Sequence, residues 1–232
     1  LPGKPLADIA GLPMVVRTAQ QAAKAAVDSI VVAADDDRVV DVVRGAGIAA
    51  QMTRTDHVSG SDRVMEVAEL CGWSDDDVVI NVQGDEPLVP PAVINQLIDG
   101  MREHADVPMA TLSEPLHSVS EFLDPNVVKV VCNDHGLAML FSRAPIPFSR
   151  DSQGRSLPES AARHVGIYAF RVHALRRFIG LGSSTLEQVE MLEQMRWLQA
   201  GHPLLVMHAI RPVPGGVDTP EDLARVKAQF RT

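Results

Sequence analysis

The chain has few cysteines, no cluster of basic residues and no long apolar run, and each shortage closes off a class of function. Only Cys71 and Cys132 occur among the 232 residues. They lie far apart and outside any Cys-x-x-Cys spacing, so neither a disulfide framework nor a zinc site is indicated, and a cytoplasmic location is expected. Lys and Arg number 21 against 30 Asp and Glu, a formal net charge of −9. That balance argues against a nucleic-acid surface, so any bound phosphate must be met by local groups. No stretch approaches the roughly 20 apolar residues of a membrane-spanning helix, and the first residues lack the form of a signal peptide; no membrane insertion is expected. Internal repeats and low-complexity segments are lacking as well.

With 46% hydrophobic residues the chain can bury one substantial core, and a single domain over 1–232 is the expectation. Short apolar runs alternate with helix-period stretches, the pattern of an α/β, Rossmann-like fold with a mixed, mostly parallel central sheet. Helices are predicted over Met14–Val27, Arg38–Ala46 (closed by Gly47), Asp62–Leu70 and after Pro90-Pro91. Strands are predicted over Ser29–Ala34, Ile48–Met52 and Val78–Val82. Asn133-Asp134-His135-Gly136 supplies turn chemistry between Val127–Val131 and Ala138–Ser142, which reads as an antiparallel hairpin.

The loop Ala144–Ser160 is long for a compact domain, as lids and interfaces are, and carries Pro145, Ile146, Pro147 and Phe148 in a row. A dimer interface is predicted there. Ser184 or Thr185, with Glu187 or Gln188, forms a capping box for a helix running to about Gln199, and Thr219-Pro220-Glu221-Asp222 starts the last helix in the same manner. A loop like Leu1-Pro2-Gly3-Lys4-Pro5-Leu6 normally follows a strand, so a first strand and loop are expected to be lacking ahead of it.

Five segments carry chemistry. In Leu1–Leu6 a lysine stands between prolines beside a flexible glycine, suited to setting Lys4 against a triphosphate. Asn81-Val82-Gln83-Gly84-Asp85-Glu86-Pro87 follows the carboxyl end of a buried strand, where open α/β sheets bind ligands: Gln83 can read a base or ribose edge, Gly84 admits a close approach, and Asp85 offers hard oxygen to Mg²⁺. Asp218 follows Gly215-Gly216 and is a second carboxylate for the same ion, although acids at such a helix start also serve simply to complement the dipole. The polar loop from Thr53 to Arg63, with Arg54, Ser59, Gly60, Ser61 and Arg63, has the parts of a base and phosphate site. Arg163–Tyr168 alternates as a half-buried strand, sending His164, Gly166 and Tyr168 to one face, where they could line a sugar pocket.

Taken together, Leu1–Leu6, Ser59–Arg63, Asn81–Pro87, Arg163–Tyr168, Leu186–Glu193 and Val217–Asp222 resemble the CMP-Kdo synthetases, the 3-deoxy-manno-octulosonate cytidylyltransferases, across essentially the whole chain. The resemblance implies a nucleotide-diphospho-sugar transferase fold, a homodimer with a dimerisation and sugar-binding segment around 127–170, CTP and Kdo as substrates, and Mg²⁺ as cofactor. By position, Lys4 should contact the triphosphate; Arg54, Ser59, Gly60, Ser61, Arg63 and Gln83 should surround the cytidine; and Asp85 and Asp218 should hold magnesium. Arg143, His164, Tyr168, Glu187, Gln188 and Glu190 are the sugar-side candidates. Ser61 stands where that family more often has threonine, an exchange that keeps the hydroxyl. The rivals are a cytidylyltransferase for another acidic sugar, such as amino-Kdo or a sialic acid, and a non-catalytic nucleotide-binding homologue.

Overall fold

The computed structural model of the chain describes residues 3–230, so Leu1 and Pro2 of the first motif lie outside the described residues. In chain order a 3₁₀ turn (Lys4–Leu6) leads to β1 (Asp8–Ile9), β2 (Leu12–Pro13), α1 (Met14–Ala22), β3 (Val31–Ala34), α2 (Asp37–Gly45), β4 (Ala49–Met52) and α3 (Gly60–Leu70). Then come β5 (Val78–Asn81), α4 (Pro91–Glu103), β6 (Met109–Pro115), α5 (Val119–Leu123), β7 (Lys129–Cys132), β8 (Ala138–Ser142) and β9 (Ala162–Arg171). The chain continues through α6 (Val172–Gly180), α7 (Thr185–Glu190), α8 (Met195–Gln199), β10 (Leu205–His208) and α9 (Pro220–Gln229). Two compact units result: one from the residues up to Ser74, Asn81–Gln96 and those from Ile210 on, the other from Asp75–Ile80 and Leu97–Ala209.

In the first unit β3 and β4 run parallel, Val31 beside Ala49 through Ala34 beside Met52, and α2 makes the crossover between them. Asp36 caps α2 by accepting from the Arg38 amide at 2.9 Å, and Gly47 ends the turn after it at φ +76°, a conformation glycine adopts without Cβ strain. Val39, Val40 and Val43 of α2 bury against Val15 and Val16 of α1 with Ala34 and Ala50. The predicted helix from Met14 stops at Ala22, five residues short of Val27. A second core joins Ile9 and Met14 to Val217 and Val226, with Leu88, Leu223 and Phe230 packed on it. Capping boxes start both α3, from Ser59 and Asp62, and α9, from Thr219 and Asp222. The Thr219 hydroxyl, then Arg225, draws the Asp222 carboxyl down to about 2, so the cap stays ionised at any working pH.

The second unit is a mixed sheet in the order β10-β6-β9-β7-β8, with β5 also paired to β9. β10 lies parallel to β6, while the antiparallel pairings gather around β9 and the β7-β8 hairpin. The hairpin forms where the turn residues predict it, Asn133 Oδ1 accepting from the amides of His135 at 2.9 Å and Leu137 at 3.0 Å. The 144–160 loop forms no strand or helix. Phe148 is exposed while Pro145, Ile146 and Pro147 are half-buried.

The reading of one helix from Ser184 to Gln199 needs correction. The helix from Ser184 does not reach Gln199: it ends at Glu190, Met191 turns left-handed at φ 52° and ψ 48°, and α8 begins afresh at Met195. The side chain of Glu190 and the carbonyls of Glu190 and Met191 are bound to Ser142 and Arg143, and these tertiary bonds override helix propensity. The capping partners are Ser184 with Glu187 rather than Thr185 with Gln188. The pleat of β9 is also irregular, since its register against β6 shifts between Thr111 and Leu112 as at a β-bulge.

Candidate active site

Lys4, Asp85 and Asp218, all in the first unit, meet in space although their motifs are remote in sequence. Lys4 Nζ donates to Asp85 Oδ2 at 2.5 Å and to Asp218 Oδ1 at 2.8 Å. Burial works against the ammonium, but the hydrogen bonds to Asp218 and Asp85 outweigh it and hold its pKa above the ordinary lysine value; Lys4 is a fixed cation rather than a base. The convergence has a backbone cause. The Val217 amide donates to the Asp85 carbonyl at 2.9 Å, the Thr18 hydroxyl donates to the Gly84 carbonyl at 3.0 Å, and buried Val217 anchors the segment in the core beneath. A Cβ at position 216 would stand 3.4 Å from the Asp85 carbonyl oxygen, so glycine there permits the close approach.

Two carboxylates reaching one cationic nitrogen are the donor set that Mg²⁺ uses when substrate phosphates and waters complete its shell. They fit that ion, and among the described residues no group of three or more His, Cys, Asp or Glu side chains could hold a metal by itself. Glu86, next in the chain, is a carboxylate whose site role the sequence left unassigned. Burial first, and Asp85 second, push its pKa to about 7, and its Oε2 is buried with no hydrogen-bond partner among the described residues.

The loop from Thr53 to Arg63 belongs to the same unit. Gly60 sits against Gln83: a Cβ there would stand 3.3 Å from Gln83 Nε2. Ser59 caps α3 and Ser61 is buried. Arg63 spends its guanidinium on the loop itself and on β3's end, donating to the Thr53 hydroxyl at 2.6 Å and to Asp35 at 2.7 Å. Arg54 reaches Asp56 at 3.2 Å, both side chains well exposed. Residues unnoticed in the sequence complete the loop: His57, its side chain only 5% exposed, donates to Glu66, and that bond leads the causes lowering the Glu66 pKa.

The sugar-side candidates lie in the second unit. Arg143 is thoroughly bound: Nε donates to the Glu190 carbonyl at 2.7 Å, Nη1 to the Pro125 carbonyl at 2.9 Å, and its amide to Glu190 Oε2 at 2.9 Å. Glu190 Oε1 accepts from the Ser142 hydroxyl at 2.6 Å. Glu187 pairs with Arg196, whose side chain is 9% exposed, and accepts from the Ser184 amide at 3.0 Å. Gln188 bonds Ser183 at 3.4 Å. His164 and Tyr168 have ring centroids 5.4 Å apart. Burial, with Arg163 adding, lowers the His164 pKa to about 3, and burial, with Glu193 adding, raises that of Tyr168 well above its usual value; both are neutral near pH 7. Lys129, fully buried, had no motif to mark it. Its ammonium donates to the carbonyls of Asp124 at 2.8 Å, Val127 at 2.5 Å and Arg143 at 2.7 Å.

The cytidylyltransferase family profile matches residues 1–207. A curated 3-deoxy-manno-octulosonate cytidylyltransferase from Pseudomonas syringae pv. tomato is 48% identical over 97% of this chain and 91% of its own length. The solved structure of a CMP:2-keto-3-deoxy-manno-octonic acid synthetase complexed with CTP superposes with a TM-score of 0.91 at 40% identity, covering 100% of this chain and 92% of that one. The 4-diphosphocytidyl-2C-methyl-D-erythritol synthase of Anaerococcus prevotii shares the fold, with a TM-score of 0.63 at 12% identity, covering 98% of this chain and 93% of that one. The architecture is thus the mixed α/β, mostly parallel one of the nucleotidyltransferases, and with nearly half its residues identical to a full-length relative, the chain belongs to the 3-deoxy-manno-octulosonate cytidylyltransferases within the cytidylyltransferase family.

Proposed function

We propose that this chain transfers CMP from CTP to the anomeric hydroxyl of Kdo, giving CMP-Kdo and pyrophosphate for lipopolysaccharide biosynthesis. The observation that carries this reading is the Lys4 ammonium seated between Asp85 and Asp218, in a chain 48% identical to a 3-deoxy-manno-octulosonate cytidylyltransferase. Both substrates are anions and the protein's formal net charge is −9, so charge compensation has to be local. Asp85 and Asp218 would hold Mg²⁺, which when bound offsets the α-phosphate charge and acidifies the sugar hydroxyl. With Asp85 and Asp218 turned to the ion, the Lys4 ammonium would be free to counter the charge that builds on the leaving pyrophosphate. Gln83 offers both a donor and an acceptor to one nucleobase edge, and the loop from Arg54 to Arg63 would border the cytidine. In the second unit, neutral His164 and Tyr168 would meet the sugar as hydrogen-bonding groups. Arg143, Glu187, Gln188 and Glu190 would shape that face through the bonds they already make. An in-line displacement needs no covalent enzyme intermediate.

The test is pyrophosphate release with CTP and Kdo, with CMP-Kdo identified as product. Turnover only with a sialic acid or amino-Kdo would reassign the sugar, and CTP binding without pyrophosphate release would overturn catalysis. A homodimer is part of the same proposal, supported by Phe148, 67% exposed at the head of the 144–160 loop, an apolar group that a partner subunit would cover. A monomeric mass by light scattering across micromolar concentrations would refute it. The exposed free thiols of Cys71 and Cys132 suit the cytoplasm, where thiols stay reduced.

A further inference from the structure

The peptide unit of Arg54 is gripped from both sides by one face of α3. Its amide donates to Glu66 Oε2 at 3.1 Å, and its carbonyl accepts from Arg63 Nη1 at 3.4 Å. Arg63 and Glu66 are three positions apart on the helix, and so on one face. The same Glu66 carboxylate accepts from Nε2 of His57, which is buried under the loop, while Val58 beyond it is 93% exposed. Thr53, the residue before the grip, is tied to the end of β3, its amide and hydroxyl reaching the Ala34 carbonyl at 2.8 and 3.0 Å. The root of the Arg54 side chain is therefore fixed by backbone bonds. Its side chain is 69% exposed and ion-paired with an exposed aspartate, a contact that holds it weakly.

We propose that Glu66 is a positioning residue for nucleotide binding: by holding the Arg54 amide and the His57 ring at once, it sets the 53–58 loop in its binding conformation before CTP arrives. The proposal rests on the reading of this loop as the border of the nucleotide. Ordering a loop in advance removes an entropic cost from binding, so the effect falls on nucleotide affinity rather than on the sugar. A general structural role would instead lower the melting temperature and weaken both substrates together.

The experiment compares Glu66→Ala, Glu66→Gln and Arg54→Ala in the full chain. It measures CTP dissociation by calorimetry, KM for each substrate, and amide exchange across residues 53–59. Glu66→Ala is expected to weaken CTP about tenfold, speed exchange in this stretch and leave the Kdo KM within about twofold. Glu66→Gln, whose amide oxygen still accepts from the Arg54 amide and His57, keeps most of the affinity. Should the alanine variant not fold, Glu66→Asp, too short to reach both partners, carries the same test with a smaller loss. Unchanged CTP affinity in Glu66→Ala or Glu66→Asp, while Arg54→Ala loses it, overturns the positioning role alone, as does an equal rise in both KM values with a lower Tm. Unchanged CTP affinity in Arg54→Ala overturns the reading of the loop itself.

Discussion

Replacing Asp85 and Asp218 by asparagine, singly and together, tests whether the two carboxylates act through one ion. Asparagine keeps the size and one oxygen but removes the charge, so the loss should appear in kcat more than in nucleotide binding. For groups that stabilise developing charge, the loss is about 100-fold to 1000-fold, or about 3–4 kcal/mol at about 1.36 kcal/mol per decade. Folding should barely register the Asp218 change: that side chain is 79% exposed, and ion pairs so exposed contribute about 0–1 kcal/mol. Activity and stability therefore separate at this residue. If the two acids were independent, the double variant would lose the product of the single losses, at least about 10,000-fold. Sharing one ion, it should lose little beyond the worse single variant. The assay is pyrophosphate release at saturating CTP and Kdo over a magnesium titration, beside thermal melts. Multiplicative losses in the double variant, or near wild-type turnover in either single one at saturating Mg²⁺, would refute the shared-ion reasoning.

A Cβ at position 60 meets the Gln83 amide at 3.3 Å, so Gly60→Ala should displace that side chain, raise the CTP KM about tenfold and reduce discrimination against other nucleotides; kinetics with all four triphosphates check this. The His164 pKa is lowered to about 3, from an ordinary 6.5. The unfolded chain thus takes up this proton first, and stability is lost as pH falls below 6.5, by about 2 kcal/mol at pH 5; His164→Gln should flatten that slope in urea titrations. Lys129→Met removes the ammonium that satisfies three carbonyls and should cost about 3 kcal/mol in urea unfolding; an unchanged midpoint would deny Lys129 a stabilising role.

Two helix starts were legible because they carry side-chain caps, Ser184 with Glu187 and Thr219 with Asp222, local signals that the fold keeps. The β7-β8 hairpin was legible for the same reason, its turn being written in Asn133 and Gly136. Nothing local announced β6, where Thr111, Ser113 and Glu114 are buried alongside Met109, Ala110 and Leu112; a strand buried on both faces shows no alternation to read. The break at Met191 was equally hidden, since its cause is Arg143, 48 positions away. At the site, Lys4, Asp85 and Asp218 stood out because each lies in a Gly- or Pro-marked turn. Glu66 and Lys129 did not: one looks like any surface acid on a helix, and the other's partners are backbone carbonyls, which no sequence displays.

The suture between the Asp85 turn and the Val217 segment also has a temporal side. Lys4 and Asp218 are 214 positions apart, and the core beneath them needs Val217, Val226 and Phe230 against Ile9 and Met14. A ribosome delivers those partners about 10 to 40 seconds after the first ones at ordinary synthesis rates. Until then Lys4 and Asp85 have each other but not their third member, and Ile9 and Met14 lack part of their cover. On the proposed reading of the site, competence would arrive all at once, when α9 docks. A nascent chain stalled before residue 217 would have the loops of an enzyme and none of its activity.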